Sequence, residues 1–196
     1  MTCIEPSPRP QNDGRRRFLS AGGRGALSAA AIGLLAGCDS LARAPAAQAA
    51  GQAANDAAIL NAALGAEQEA IAAYQLGAES GLLQKPVLAL AIAFQGHHRE
   101  HADALAAAVS KLGGQPVAPL PSYDFPVARL NSQADVLAFA AGLEKGAVSA
   151  YLGAVPIFAD RELSRVAASI LGDEAMHWAV LRQALGEVPV PGAFVS

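Results

Sequence analysis

The stretch that decides the fold is SILGDEAMHWAVLRQALG, residues 169–186. Ile170 and Leu181 lie about three helical turns apart, so they predict an amphipathic helix with one buried face. Glu174 and His177 fall on that same face, in the middle of the helix. A buried carboxylate and imidazole need partners in the core, because an unpaired buried polar group costs about 2–7 kcal/mol.

The same pattern occurs in GHHREHADAL, residues 96–105, where His98 and His101 take the places of Glu174 and His177. Two other segments also match each other, since each contains a glutamate followed by a tyrosine seven residues later. These pairs are Glu67 with Tyr74 and Glu144 with Tyr151. The chain is therefore predicted to contain two copies of one helical hairpin. We expect both tyrosines to form part of the core wall.

The fold class predicted from these repeats is all-α, a four-helix bundle. The connection between the two hairpins, QPVAPLPSYDFPVARLN at residues 115–131, contains four prolines and cannot be helical. At ~3.3 Å per residue it is long enough to run the whole length of the bundle. The hairpins themselves have short loops, so their helices are antiparallel. The helical patterns cover residues 55–80, 86–112, 132–156 and 160–185.

Six ionisable residues are predicted to meet in the core of this bundle, because each lies on the apolar face of its helix and near its middle. Clustered carboxylates repel one another, and a bound cation would neutralise them and fill their lone pairs. Carboxylates combined with imidazoles favour iron, manganese or zinc over calcium or magnesium. The predicted metal ligands are Glu67, His98, His101, Glu144, Glu174 and His177.

These residues resemble the metal ligands of the ferritin-like superfamily, and specifically those of exported bacterial ferritin-like domain proteins. The pattern in that superfamily is one glutamate from each of two helices and Glu-x-x-His from each of the other two. Glu67 and Glu144 match the lone glutamates, whereas Glu174 and His177 match one Glu-x-x-His. The resemblance covers residues 55–186. It implies a ferritin-like bundle made of two antiparallel hairpins and one long crossover, with iron as the first candidate metal.

The second helical pattern, residues 86–112, departs from the superfamily pattern, because His98 stands where a bridging glutamate is expected. Three glutamates and three histidines are compatible with two metal ions, one metal ion, zinc or no metal at all. In the resemblance, Glu67 and Glu144 are terminal ligands, and Glu174 is the bridge. His101 and His177 are terminal nitrogen ligands, and His98 is either an anomalous ligand or a hydrogen-bond donor to the ligands.

Three functions are open at this point. The first is a metal-dependent oxidoreductase acting on oxygen or peroxide. The second is a metal-binding module without turnover. The third is a non-catalytic structural or interaction bundle of the cell envelope with a degenerate metal site.

The N-terminal 37 residues predict a targeting segment. Arg15 and Arg16 form a twin-arginine pattern, and the weakly apolar run after them is too short to span a bilayer. The run ends in Leu-Ala-Gly before Cys38, which resembles a bacterial lipobox, so we expect cleavage before Cys38 and lipidation of its sulfur. Ordinary signal cleavage within residues 42–50 is the alternative. The expected location is the periplasm or cell envelope, with membrane attachment through the lipid.

Composition limits the remaining possibilities. The chain has 196 residues, of which 53% are hydrophobic, and its net charge of −3 gives no electrostatic footprint for nucleic acid. Residues 38–54 are low in complexity and predict a flexible tether, whereas residues 187–196 form a short C-terminal tail. A homodimer and a small oxidant as substrate are both compatible with the sequence.

Overall fold

The computed structural model describes residues 38–195 of the chain, with side chains described from residue 46 onward. The described residues form four long helices and no strand, which confirms the predicted all-α class. Short 3-10 helices at Val127–Arg129 and Val155–Ile157 lie in the connections. The four helices α1 to α4 span Cys38–Glu79, Lys85–Lys111, Gln133–Ala154 and Arg161–Ala184.

The first helix is longer than the sequence pattern predicted. Residues 38–54, for which the sequence predicts a flexible tether, belong to α1, so the predicted start of the first helix at residue 55 is corrected. Alanine, the strongest helix former, dominates this segment, and its described side chains are mostly exposed, so helix propensity accounts for this part without burial. The predicted signal segment of residues 1–37 and the side chain of Cys38 lie outside the described residues. Within the described residues, each helix lacks the apolar length needed to cross a bilayer.

The ends of α3 and α4 carry the predicted capping residues. Ser132 accepts a hydrogen bond from the backbone N–H of Asp135 at 3.2 Å, and its hydroxyl donates to the Asp135 carboxylate at 2.8 Å. Asp160 likewise accepts from the backbone N–H of Glu162 at 2.7 Å. Three helices are followed by a glycine with φ between 71° and 78°, a conformation that other residues rarely adopt. These glycines are Gly81, Gly113 and Gly186.

The crossover between α2 and α3 runs along α1. Near one end, Asn61 Oδ1 accepts from the backbone N–H of Val117 at 2.9 Å, and the Gln68 amide donates to the Val117 carbonyl at 2.9 Å. At the other end, the backbone N–H of Gln84 donates to the side chain of Gln133, the first residue of α3, at 2.8 Å. The crossover therefore spans the bundle lengthwise, and α1 and α3 are antiparallel.

Two apolar clusters leave a polar layer between them. On α4, Ile170 belongs to the first cluster and Leu181 to the second. On α2, Leu105 belongs to the first cluster and Phe94 to the second. The predicted metal ligands of α2 and α4 lie between the two clusters along each helix, so the layering of the core places these ligands at one level of the bundle.

Candidate metal centre

The six predicted ligands converge in the polar layer between the two apolar clusters. Five of them are at most 3% exposed, and the sixth, His101, has a side chain that is 14% exposed. These five are Glu67, His98, Glu144, Glu174 and His177. The structure thus brings together all the residues that the repeat singled out, whereas their role as ligands stays a prediction.

The first ligand group consists of Glu67, His98, His101 and Glu174, each offering one atom within 4.8 Å of the others. Its shortest contacts join His98 Nδ1 to Glu67 Oε2 at 2.8 Å and His101 Nδ1 to Glu174 Oε1 at 3.0 Å. His101 Nδ1 also lies 3.6 Å from Glu67 Oε2. The group therefore combines two carboxylates with two imidazoles around one point.

The second ligand group consists of His98, Glu144, Glu174 and His177. His98 Nε2 lies 3.3 Å from Glu144 Oε1, and His177 Nδ1 lies 3.6 Å from both Glu144 Oε1 and Glu174 Oε2. His98 and Glu174 belong to both groups. Each turns one of its two ligand atoms toward the first group and the other toward the second, so both residues lie between the two groups.

Several ligand atoms are buried without a hydrogen-bond partner. Leaving such an atom unpaired costs about 1–3 kcal/mol, and buried polar atoms in proteins are usually satisfied. The 3.0 Å contact of His101 Nδ1 with Glu174 lacks the angles of a hydrogen bond. All the unpaired buried side-chain atoms of the described residues lie in the two ligand groups: His101 Nδ1, His177 Nδ1, Glu144 Oε2 and both oxygens of Glu174. This donor set fits a bound cation.

Two tyrosines bind the lone glutamates across the bundle. Tyr151 on α3 donates to Glu67 Oε1 on α1 at 2.6 Å, and Tyr74 on α1 donates to Glu144 Oε1 on α3. Both tyrosines belong to the apolar clusters, as expected, and their hydroxyls in addition hold the lone glutamates. The available signal was the equal Glu-to-Tyr spacing in the two halves, which gives this contact only once the two helices are placed antiparallel and at the same level.

Asp173 was missed by the sequence pattern, and it lies outside the two imidazoles that point inward. Its Oδ2 is 3.4 Å from His101 Nε2 and 3.2 Å from His177 Nε2. A carboxylate on the outer nitrogen fixes the ring so that Nδ1 faces the centre. His97, the position matching Asp173 in the first half, places its Nδ1 3.1 Å from Asp173 and 2.9 Å from His177 Nε2. The i, i+4 spacing of Asp173 and His177 was the available signal.

The carboxylates of the centre differ in their pKa values. Burial raises the pKa of Glu67, but the nearby imidazole of His101 and hydrogen bonds from His98 and Tyr151 outweigh it and lower the pKa to about 2. For Glu174 burial dominates, and its pKa is raised above the usual range. Glu67 is therefore ionised over a wide pH range, whereas burial disfavours the charged form of Glu174.

The imidazoles carry the compensating charge. Burial lowers the pKa of His98, but hydrogen bonds to Glu144 and Glu67 raise it to about 10. Burial also lowers the pKa values of His101 and His177, but contacts of His101 with Glu174 and Glu67, and of His177 with Glu144 and Glu174, raise both pKa values to about 9. Carboxylates ionised in this way only accept hydrogen bonds, so both ring nitrogens of His98 are donors in the metal-free protein.

The comparisons with known proteins agree with this fold. The family model for the ferritin-like domain matches residues 55–187, more than half of the chain. The chain belongs to the ferritin-like domain family. No curated protein matches this ferritin-like chain.

Two solved structures resemble this ferritin-like domain. A conserved hypothetical protein of Mycobacterium tuberculosis has a TM-score of 0.64 and 24% identity, over 73% of this chain and 99% of that one. A structure described as ferritin-like, diiron-carboxylate proteins of Bacillus anthracis has a TM-score of 0.58 and 20% identity, over 68% and 97%. At these identities the likeness shows the fold alone.

Proposed function

We propose that this chain is an exported metal-binding protein whose bundle core holds two ions, with iron as the first candidate and manganese or zinc as the others. The observation that carries the proposal is the position of Glu174. Both of its oxygens are buried without a hydrogen-bond partner, and the residue belongs to both ligand groups. A carboxylate in such a position is stabilised by a cation on each side.

The two groups suggest how the ions would be held. The first ion would lie among Glu67, His101 and Glu174, and the second among Glu144, His177 and Glu174. The histidines would bind through Nδ1, since that atom has no partner in either ring. Because metal ligands must be deprotonated, binding would release the protons that the imidazoles carry in the metal-free protein.

When bound, a pair of iron or manganese ions would supply electron transfer to a small oxidant such as dioxygen or peroxide. The chain itself would position and shield the centre. Tyr74 and Tyr151 hold the lone glutamates, and Asp173 holds the outer nitrogens of two histidines. The apolar clusters above and below would keep bulk water away from the ligands.

Elemental analysis of protein purified after export tests the proposal, together with oxidant consumption by the iron-loaded protein. We expect two ions per chain, and we expect Glu174→Ala to lower the metal content. Glu100→Ala is the matched control, because Glu100 is an exposed carboxylate of α2 outside both groups. Metal content that is equal in the two variants would contradict the bridging assignment. If the iron-loaded protein consumes no oxidant, the chain is a metal-binding module without turnover.

One observation favours a second candidate, a non-catalytic bundle of the cell envelope. The three imidazoles have raised pKa values and lie beside the glutamates, so their positive charge compensates the ionised carboxylates without any metal ion. In that case the six residues form a buried ion-pair network that fixes the packing of the helices. Exported protein without metal, whose stability does not change on adding iron, manganese or zinc, would support this candidate over the first.

We also propose that the protein is exported by the twin-arginine route and anchored to the envelope through a lipid on Cys38. Arg15, Arg16 and the Leu-Ala-Gly before Cys38 support this proposal. Metabolic labelling with a fatty acid tests it, with Cys38→Ser as the variant and Cys3→Ser as the matched control. Label that survives Cys38→Ser would argue for ordinary signal cleavage. Export that survives Arg15→Lys with Arg16→Lys would argue against the twin-arginine route.

A further inference from the structure

A cavity of about 380 Å³ opens between α1 and α3. Small side chains recur along both of its walls at intervals of four residues, so each wall is a stripe on one helix face. Such residues usually allow two helices to pack closely, but here they leave open space. The residues are Ala62, Ala66 and Ala70 on α1 and Gly142, Gly146 and Ala150 on α3.

The inner end of the cavity is formed by the candidate metal centre. Glu67, His98, Glu144 and Tyr151 all line it. Glu144 is 1% exposed, and its Oε2 has no hydrogen-bond partner, so a buried unpaired atom lies in the wall. The cavity therefore reaches both ligand groups from the side of the lone glutamates, between the helices that carry them.

The lining limits the chemical class of a ligand. Most of the wall is hydrocarbon, with Ile59 and Leu143 beside the small residues. The three carboxylates of Glu67, Glu69 and Glu144 outnumber the one imidazole in the lining, that of His98, so the cavity disfavours an anion. Such walls suit an uncharged apolar molecule, because each methylene group that moves from water into the cavity makes the free energy of binding more favourable.

We propose that this cavity binds an uncharged aliphatic molecule, with one end against Glu67, His98 and Glu144. The inference rests on the proposed function in that the bound molecule would lie beside the metal centre as its organic partner. Binding itself depends on the walls and not on the ions. The two proposals can therefore fail separately.

Linear alkanols are suitable probes, measured by calorimetry on the full chain carrying Cys38→Ser so that no detergent is needed. From 1-butanol to 1-octanol we expect about fourfold tighter binding for each added methylene, until the cavity is full. Octanoate should bind at least tenfold more weakly than 1-octanol because of the lining carboxylates. Equal binding of octanoate and octanol, or no binding of any alkanol, would overturn the inference.

Gly146→Leu places a side chain in the cavity without a backbone clash, since a Cβ at this glycine meets no atom within 4 Å. We expect this variant to weaken octanol binding at least tenfold. Gly172→Leu is the matched control, because Gly172 is also an exposed mid-helix glycine with open space around it, and it lies outside the cavity lining. Ala66→Leu, on the facing wall, tests the same point if Gly146→Leu does not fold.

The pattern of results separates the two proposals. Octanol binding in a chain that holds no metal would support the cavity inference and contradict the proposed function. A chain that holds two metal ions but binds no octanol would support the proposed function and contradict the cavity inference. A dimer that dissociates in Gly146→Leu but not in Gly172→Leu would show that a second copy fills the groove, and this result would overturn the inference as well.

Discussion

Tyr151 on α3 donates a hydrogen bond of 2.6 Å to Glu67 on α1, although the two residues are 84 positions apart in the chain. Tyr74 and Glu144 form the same contact in the opposite direction. Each half of the repeat thus orients the lone glutamate of the other half. The candidate metal centre therefore depends on both hairpins being folded and docked.

Removing the Tyr151 hydroxyl should weaken the metal-free protein. We expect Tyr151→Phe to lower the free energy of unfolding by about 1–3 kcal/mol, because a buried oxygen of Glu67 loses its donor. Urea unfolding in the presence of a chelator measures this change. Tyr123→Phe is the control, since the Tyr123 hydroxyl lies in the exposed crossover and contacts only the backbone of Leu120. Equal losses in both variants would contradict the proposed role of the contact.

Replacing Glu174 should affect the metal-loaded and metal-free proteins in opposite ways. Burial raises the pKa of Glu174, so its charge is unfavourable without a cation beside it. We expect Glu174→Gln to leave the melting temperature of the metal-free protein unchanged or higher, and to remove the increase that metal produces. Scanning calorimetry with and without metal checks both statements. A variant that retains the full increase would show that Glu174 is not a ligand.

His98→Glu would add a fourth carboxylate to the candidate metal centre. We expect the metal-free variant to be less stable than the parent, because Glu67 and Glu144 lose their imidazole donor and gain a like charge. We expect its affinity for two iron ions to rise by at least tenfold. Metal titration followed by elemental analysis measures both stoichiometry and affinity. His98→Asn is the control, because this substitution removes the imidazole without adding a negative charge.

The stability of the metal-free protein should depend on pH in a defined way. The pKa of His98 is raised from 6.5 to about 10, so its contribution is complete below pH 6.5 and is lost as the pH rises toward 10. The pKa of Glu67 is lowered from 4.5 to about 2, so its contribution is present above pH 4.5 and is lost as the pH falls toward 2. Maximal stability is therefore expected between pH 4.5 and 6.5.

Urea midpoints measured from pH 3 to 10 with a chelator present test this pH dependence. His98→Gln should flatten the alkaline side of the profile, because the group that titrates there is gone. With metal bound the alkaline loss should disappear, since deprotonated imidazoles bind metal better. A metal-free protein that becomes more stable above pH 7 would contradict the assignment.

Asp56 should contribute strongly to the stability of the bundle away from the metal centre. It is 2% exposed, and its carboxylate accepts the backbone N–H groups of Ala159 at 3.0 Å and Asp160 at 3.1 Å. We expect Asp56→Ala to lower the free energy of unfolding by about 2–4 kcal/mol, because two donors lose a charged acceptor. Asp103→Ala, at an exposed position of α2, is the control for urea unfolding and should change it by less than about 0.5 kcal/mol.

The sequence by itself determined the four helices and the level of the candidate centre. Capping residues such as Ser132 and Asp160 and the apolar spacing around Glu174 and His177 act within one helix or its flanks, so they can be read without knowing the neighbours. The extension of α1 through residue 38 was also local in origin, because alanine-rich segments favour helix without burial.

Only the tertiary structure decided which atoms meet. The Tyr151 contact with Glu67, the position of Asp173 outside two imidazoles and the cavity beside Glu144 all depend on the distance and rotation between helices. Spacing along one helix fixes a face but not the partner opposite it. The orientation of the His98 ring is decided in the same way, by carboxylates on two different helices that no local pattern places.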